Sequence, residues 1–221
     1  MGDDELDDMT ESMHDAMSLD GNVDKLRRFY DGWADEYDAD VGSHGYGMPD
    51  MVASTLADAV DALGWKVDRT KISVIDAGCG TGLVGEALRT AGWTDLRGVD
   101  LSVEMAEKAA ARGIYRTVEG GVDLTSPAAD HLRGSSDAVT VGGVFTVGHV
   151  PPTALISMAS LARNGGVLAV STRDAYQRDT DWHGVVAELE SDGLLERLVH
   201  TANGPYTMDS TGDYWAWKVN H

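Results

Sequence analysis

The stretch Val74-Ile75-Asp76-Ala77-Gly78-Cys79-Gly80-Thr81-Gly82 decides how this chain is read. A short apolar run ends on an acid, three alternate glycines follow, and residues 83–91 then have helical patterning. Glycine suits that junction for two reasons. The chain must turn sharply there, and a ligand must approach the backbone with no Cβ in the way. The helix that follows presents free N–H groups at its start, which suit a carboxylate. By itself the loop supports a nucleoside-type cofactor on a doubly wound sheet.

Working outward, strand-like and helix-like runs alternate. Strands are expected at residues 71–77, 96–100, 115–118, 137–141, 166–171, 194–200 and 214–219. Helices are expected at 83–91, 103–111, 152–162 and 180–191, with a poor one near 126–132. That order predicts an α/β fold: a doubly wound, mostly parallel seven-stranded sheet with an antiparallel C-terminal strand, its last strands forming a terminal pair. Ahead of it, Leu26, Phe29, Tyr30, Trp33 and Tyr37 share the face of a helix over residues 23–38. A Gly-rich loop at 41–49 and a second helix at 49–63 follow. Residues 1–20 read as an acidic, mobile tail. Residues 21–221 read as one domain, with a helical cap at 21–66 and the sheet core at 67–221.

The net charge is −20, and the first twenty residues alone carry eight acids with no Lys or Arg. Such a surface repels phosphate backbones, which argues against a nucleic-acid substrate. A high-salt source and an ordinary soluble acidic protein explain the bias equally well. No run approaches the roughly 20 apolar residues of a membrane span, and the start lacks the pattern of a secretory signal. A cytoplasmic protein without membrane contact is expected, as a monomer or homodimer. Cys79 is the only cysteine, so neither an internal disulfide nor a Cys-rich zinc site is possible, and no metal is expected.

The candidate cofactor residues begin with Asp76, Ala77, Gly78, Cys79, Gly80 and Gly82. A nicotinamide fingerprint would have glycine or alanine at position 83, where this chain has Leu83. Asp76 suits a cofactor bearing an amino acid, with its charge near the methionine ammonium of S-adenosylmethionine (SAM). Asp100 ends the next strand and can accept both ribose hydroxyls of an adenosine, which SAM and NAD share. Ser102 is the natural helix cap there, and Leu101 and Met105 can flank the adenine. Asp123 can accept from the adenine amino group, with Val122 and Leu124 beside the ring. Gly142, Gly143 and Phe145 follow the 137–141 strand; the glycines admit substrate and Phe145 is placed to face the sulfonium or adenine. His149, in the same loop, is the candidate general base, with a reference pKa of about 6.5. Arg173, Asp174, Trp182 and His183 are candidates for the acceptor pocket.

Taken together these residues resemble class I SAM-dependent methyltransferases. The likeness runs from about residue 24 to 173 and rests on Val74–Gly82, the Gly98-Val99-Asp100-Leu101-Ser102 turn and the 137–141 strand. The segments Tyr30-Asp31-Gly32-Trp33-Ala34-Asp35-Glu36-Tyr37-Asp38 and Gly82-Leu83-Val84-Gly85-Glu86-Ala87-Leu88 resemble the Williams–Beuren-syndrome-region methyltransferase-like branch. The resemblance implies a Rossmann-like methyltransferase fold and SAM as cofactor. It also implies an N-terminal helix over the cofactor, from which Tyr30, Trp33 or Tyr37 touches the methionine end; Tyr37 is thereby also a candidate catalytic residue. The expected activity is methyl transfer to a small-molecule acceptor. A SAM-binding protein without methyl transfer and a nicotinamide-dependent oxidoreductase are the competing readings.

Overall fold

The computed structural model describes Asp15, Leu19 and residues 21–43, 45–208 and 210–221. The tail expected over residues 1–20 therefore lies, apart from Asp15 and Leu19, outside the described residues. Three helices come first: α1 (Val23–Trp33), α2 (Tyr37–Ser43) and α3 (Met48–Ala62). Then β1 (Ser73–Ala77), α4 (Leu83–Thr90), β2 (Asp95–Asp100), α5 (Val103–Ala111), β3 (Thr117–Gly120), β4 (Ser136–Phe145), α6 (Ala154–Ala159) and β5 (Ala162–Arg173) alternate. The chain ends with α7 (Asp174–Asp179), α8 (Trp182–Ser191), β6 (Leu195–Pro205) and β7 (Thr211–Val219).

The seven strands lie in the order β3-β2-β1-β4-β5-β7-β6. Neighbours from β3 to β5 are parallel, and β7 runs antiparallel to both β5 and β6. The expected mostly parallel sheet with an antiparallel C-terminal strand is what forms. Strand order reverses at β1, between β2 and β4, which puts the ligand crevice at the carboxyl ends of those strands. Two apolar clusters cover the sheet. One packs Val52, Leu56 and Val60 of α3 and Val84 and Leu88 of α4 on Val74, Leu96 and Ala138. The other packs Leu155 and Met158 of α6 and Trp182, Val186 and Leu189 of α8 on Ile75, Val139, Val141 and Leu168.

Local chemistry sets most boundaries. Asn22 caps α1, its Oδ1 accepting from the Lys25 amide at 3.0 Å. Ser102 caps α5 as expected, its hydroxyl accepting from the Met105 amide at 3.1 Å. The expected 23–38 helix is instead two helices with a turn at residues 34–36. Trp33 stays on the buried face, its indole N–H donating to Asp40 at 2.7 Å, and this ties the second helix back on the first. The expected loop at 41–49 is therefore partly α2 and the start of α3. The 137–141 strand extends to Phe145 through a bulge after Val141, where Gly143 takes φ +75°. The expected 152–162 helix shortens because β5 begins at Ala162.

Gly85 in α4 is fixed by close approach. A Cβ there would lie 2.1 Å from the Tyr115 hydroxyl, which is itself held by Asp76 at 2.7 Å. Gly85→Ala should therefore lose about 1–2 kcal/mol in urea denaturation, overpacking outweighing the helix-propensity gain of about 1 kcal/mol. A stabilised variant would show that Tyr115 moves aside freely.

Candidate active site

A cavity lies at the carboxyl ends of β1, β2 and β4. Gly78, Gly80 and Asp100 line it at one side, Leu101, Met105, Val122, Asp123 and Leu124 at the next, and Gly142 and Gly143 at the third. Tyr30, Tyr37 and His149 line it from above. Leu26, Thr125, Val144, Val150 and Met158 also line it, and nothing in their sequence context marks them, because apolar residues beside a pocket look like any other core.

The floor is built by the glycine loop. Gly78 and Gly80 take φ +73° and +53°, in the left-handed region that an L side chain enters at a cost. The Gly78 and Cys79 amides both donate to the Val99 carbonyl, at 2.8 and 3.0 Å, fastening the loop to β2. At Gly78 a Cβ would strike Val144, while at Gly80 it would meet only open space. The backbone at Gly80 is thus bare toward the cavity, where a ligand can lie on it.

Asp100 is 9% exposed, and its carboxylate accepts from the Gly80 amide at 2.7 Å and the Ser102 amide at 2.8 Å. Burial pushes its carboxyl up to about 6, those amides opposing the rise and the Asp31 charge adding to it. Asp123 lines the next stretch; its Oδ1 accepts from the Thr125 amide at 2.8 Å and hydroxyl at 2.6 Å. Met105 and Val122 are buried on the apolar wall between them. This is the set of groups an adenosine needs: an acid to accept from a ribose diol, an apolar slot for a base, and an acid at the slot's far end. The residues present fit the nucleoside part of SAM.

Asp76 lies elsewhere. It is fully buried, accepting from the Tyr115 hydroxyl at 2.7 Å and the Thr140 hydroxyl at 3.1 Å. Burial raises its carboxyl to about 6 against those bonds. It braces β1, β4 and the segment before β3 and is not among the residues that line the cavity. Ala77, Cys79 and Gly82 likewise shape the loop without lining the cavity. Burial drives the Cys79 thiol well up, which makes it inert. Ser102 faces the cap, its hydroxyl donating to Asp31 at 2.6 Å.

Phe145 also lies away from the cavity lining. Beyond the β4 bulge it turns into the core, fully buried, with ring centroids 6.0 Å from Tyr176 and 5.0 Å from Trp182. Trp182 is buried with it, so neither aromatic meets a ligand. Trp33 is held by Asp40 under the cap and also misses the cavity.

The cap closes the site through polar contacts. Asp31 takes the Ser102 bond, Asp35 pairs with Lys108, and Asp38 meets Thr81 and Arg112. Tyr30 reaches down to His149, its hydroxyl 2.6 Å from Nε2. His149 Nδ1 lies 3.1 Å from the Val147 carbonyl, which can only accept, so Nδ1 carries the proton and Nε2 accepts from Tyr30. Burial lowers the His149 pKa to about 4, the Val147 bond opposing it and the Arg173 charge adding to it. Two further tyrosines that the sequence reading passed over, Tyr46 and Tyr206, stand beside Gly143. They come from distant segments, and only the tertiary fold brings them together.

Residues 51–217 match a family described as a methyltransferase domain. Methyltransferase-like protein 27 of Homo sapiens is 33% identical over 178 residues, which cover 77% of this chain and 68% of that protein. Among solved structures, magnesium protoporphyrin IX methyltransferase from Synechocystis PCC 6803 with bound SAM has a TM-score of 0.63 at 18% identity, over 90% of this chain and 97% of that one. The cyclase SpnF has a TM-score of 0.67 at 14% identity, over 91% and 97%. At such identities these two likenesses establish the fold, whereas the family match and the human relative establish kinship. The nicotinamide reading gives way to them, and the chain belongs to the class I SAM-dependent methyltransferases.

Proposed function

We propose that this enzyme transfers the SAM methyl group to a small-molecule acceptor, chiefly by proximity and orientation. The observation that carries this reading is the course of the cavity. It runs from Asp123 past Asp100 to Gly143 and ends beneath the tyrosines of the cap. A small acceptor seated beneath those tyrosines can meet the methyl group there. The net charge of −20 further disfavours a nucleic acid.

In this reading Asp100 accepts the ribose hydroxyls and Asp123 the adenine amino group. Leu101, Met105, Val122 and Leu124 hold the base. The bare backbone at Gly80, with Gly78 beside it, carries the methionine end, and Gly142 and Gly143 leave room for the acceptor. When bound, SAM supplies a methyl group on a positive sulfur, displaced in line. Little acid–base help is obligatory, and holding acceptor and methyl in line supplies on the order of 7–11 kcal/mol at best. Tyr37 lines the methyl end. His149 acts as base only through Tyr30, because Nε2 already accepts that hydroxyl. Methyl-labelled SAM incubated with the enzyme and a metabolite extract should leave label in small organic products. Label confined to the macromolecular fraction, or none transferred while SAM binds, would overturn the proposal.

Asp100→Ala should lower SAM affinity at least tenfold by calorimetry with the far-ultraviolet dichroism unchanged, since charge-assisted bonds are worth roughly 1.5–3 kcal/mol each. Unchanged affinity would misplace the ribose. The wild type adds a pH test. The free Asp100 carboxyl is raised to about 6, and ribose donors favour its ionised form, so binding expels a proton at low pH. Affinity should be level above about pH 7 and fall as pH drops through 6, approaching tenfold per unit well below it. A flat profile down to pH 5 would contradict this.

His149 should stay neutral over the same range. Its ring signals in heteronuclear NMR should keep the Nδ1–H tautomer from pH 8 to 5, because burial holds its pKa near 4. A midpoint near 6.5 would show a solvated ring free of Tyr30.

A further inference from the structure

Beyond Gly143 the carboxyl ends of β4 and β5 carry a cluster that the cofactor reading leaves unused. A Cβ on Gly143 would come within 3.2 Å of the Tyr46 hydroxyl and 3.7 Å of the Tyr206 hydroxyl. The Tyr46 and Tyr206 rings meet edge to face with centroids 5.9 Å apart. The Gly143 amide donates to the Ser171 hydroxyl at 3.1 Å, and Ser171 in turn contacts the Tyr206 hydroxyl. Arg173, the last residue of β5, lies against this group, its guanidinium carbon 5.1 Å from the Tyr206 ring centre.

Arg173 is half-buried, and one Nη donates to the Ser210 hydroxyl at 3.3 Å. Among the described residues no carboxylate lies within 4.0 Å of it. The neighbouring Asp174 carboxylate instead accepts from the Thr211 hydroxyl. In a chain with 37 acids against 17 lysines and arginines, carboxylates are plentiful, yet none of the described ones is set here. Its charge acts on Tyr30, Tyr46, Tyr206 and His149, which face it from the cap, the β6–β7 hairpin and the β4 loop. A guanidinium has five donors in a planar fork and gains most from a planar anion.

Position supplies the other half. If adenosine lies over β1, β2 and β3 and the methyl group over β4, the acceptor lies over β4 and β5, where Arg173 stands. We propose that Arg173 is the recognition residue for an acceptor bearing a carboxylate, with the Tyr46 and Tyr206 hydroxyls as neutral neighbours. One guanidinium, with no lysine in contact, balances a single negative charge. A phosphate dianion would leave a net negative charge in a site that Asp100 already makes acidic. The proposal rests on the methyltransferase reading of the same site.

The test uses the enzyme loaded with S-adenosylhomocysteine, and benzoate and phenylacetate as probes against benzamide and phenylacetamide. By ligand-observed NMR titration each acid should bind at least about tenfold more tightly than its amide, the difference expected of charge-assisted bonds. Arg173→Gln should abolish that preference while S-adenosylhomocysteine affinity and melting temperature hold. Equal binding of acids and amides to the wild type overturns the proposal, a comparison that stands even if the variant does not fold. So does a preference that survives Arg173→Gln, in which case the guanidinium merely stacks on Tyr206. Tighter binding of phenylphosphonate than of benzoate overturns the carboxylate assignment. Failure of the wild type to bind S-adenosylhomocysteine at all would instead overturn the methyltransferase reading, and the proposal with it.

Discussion

Asp100 holds three pieces of backbone in one place. Its oxygens accept from the Gly80 and Ser102 amides, and its own carbonyl accepts from the Val122 amide at 3.0 Å. The glycine loop, the start of α5 and the loop after β3 converge there, and these segments supply much of the cavity wall. Burial works against the charge and the amides work for it, so the side chain is poised between protonation states near pH 6. A ligand that adds hydroxyl donors tips that balance. The same residue thus organises the empty pocket and recognises what fills it.

The cap depends on this arrangement from the other side. Asp31, Asp35 and Asp38 fasten α1 and α2 to Ser102, Lys108 and Arg112 on α5. Exposed pairs of this kind are individually worth about 0–1 kcal/mol, so their main effect is on placement. They fix where Tyr30 and Tyr37 meet the cavity. Tyr30 then donates to Nε2 of His149, which with the Val147 carbonyl defines its tautomer, while burial keeps the imidazole neutral.

The parts of this site that local chemistry dictates were legible in the sequence. The glycine turn, Asp100 and the Ser102 cap each follow from backbone requirements that act within a few residues. The mostly parallel sheet followed from the alternation of elements. What local pattern does not contain is which way a side chain faces once strands bulge and helices fold back. Phe145 ends β4 as a pocket residue would, yet the bulge at Gly143 sends it into the core against Trp182. Asp76 precedes the glycines as a ligand-binding acid would, yet Tyr115 and Thr140 claim both its oxygens. The turn at residues 34–36 depends on the Trp33–Asp40 bond, which helical periodicity does not register. Tyr46 and Tyr206 are 160 residues apart in the chain, and Gly143 brings them into one wall.

Central to the account is that SAM lies with adenosine over β1 to β3 and its methyl group at Gly143 beneath Tyr37. SAM labelled with carbon-13 at the transferable methyl reports that directly. Nuclear Overhauser effects from the methyl should reach the Gly142 and Gly143 protons and the Tyr37 ring, and those from the ribose should reach Gly80. Methyl contacts confined to Val122, Leu124 or Thr125, at the opposite end of the cavity, would reverse the cofactor and contradict the account.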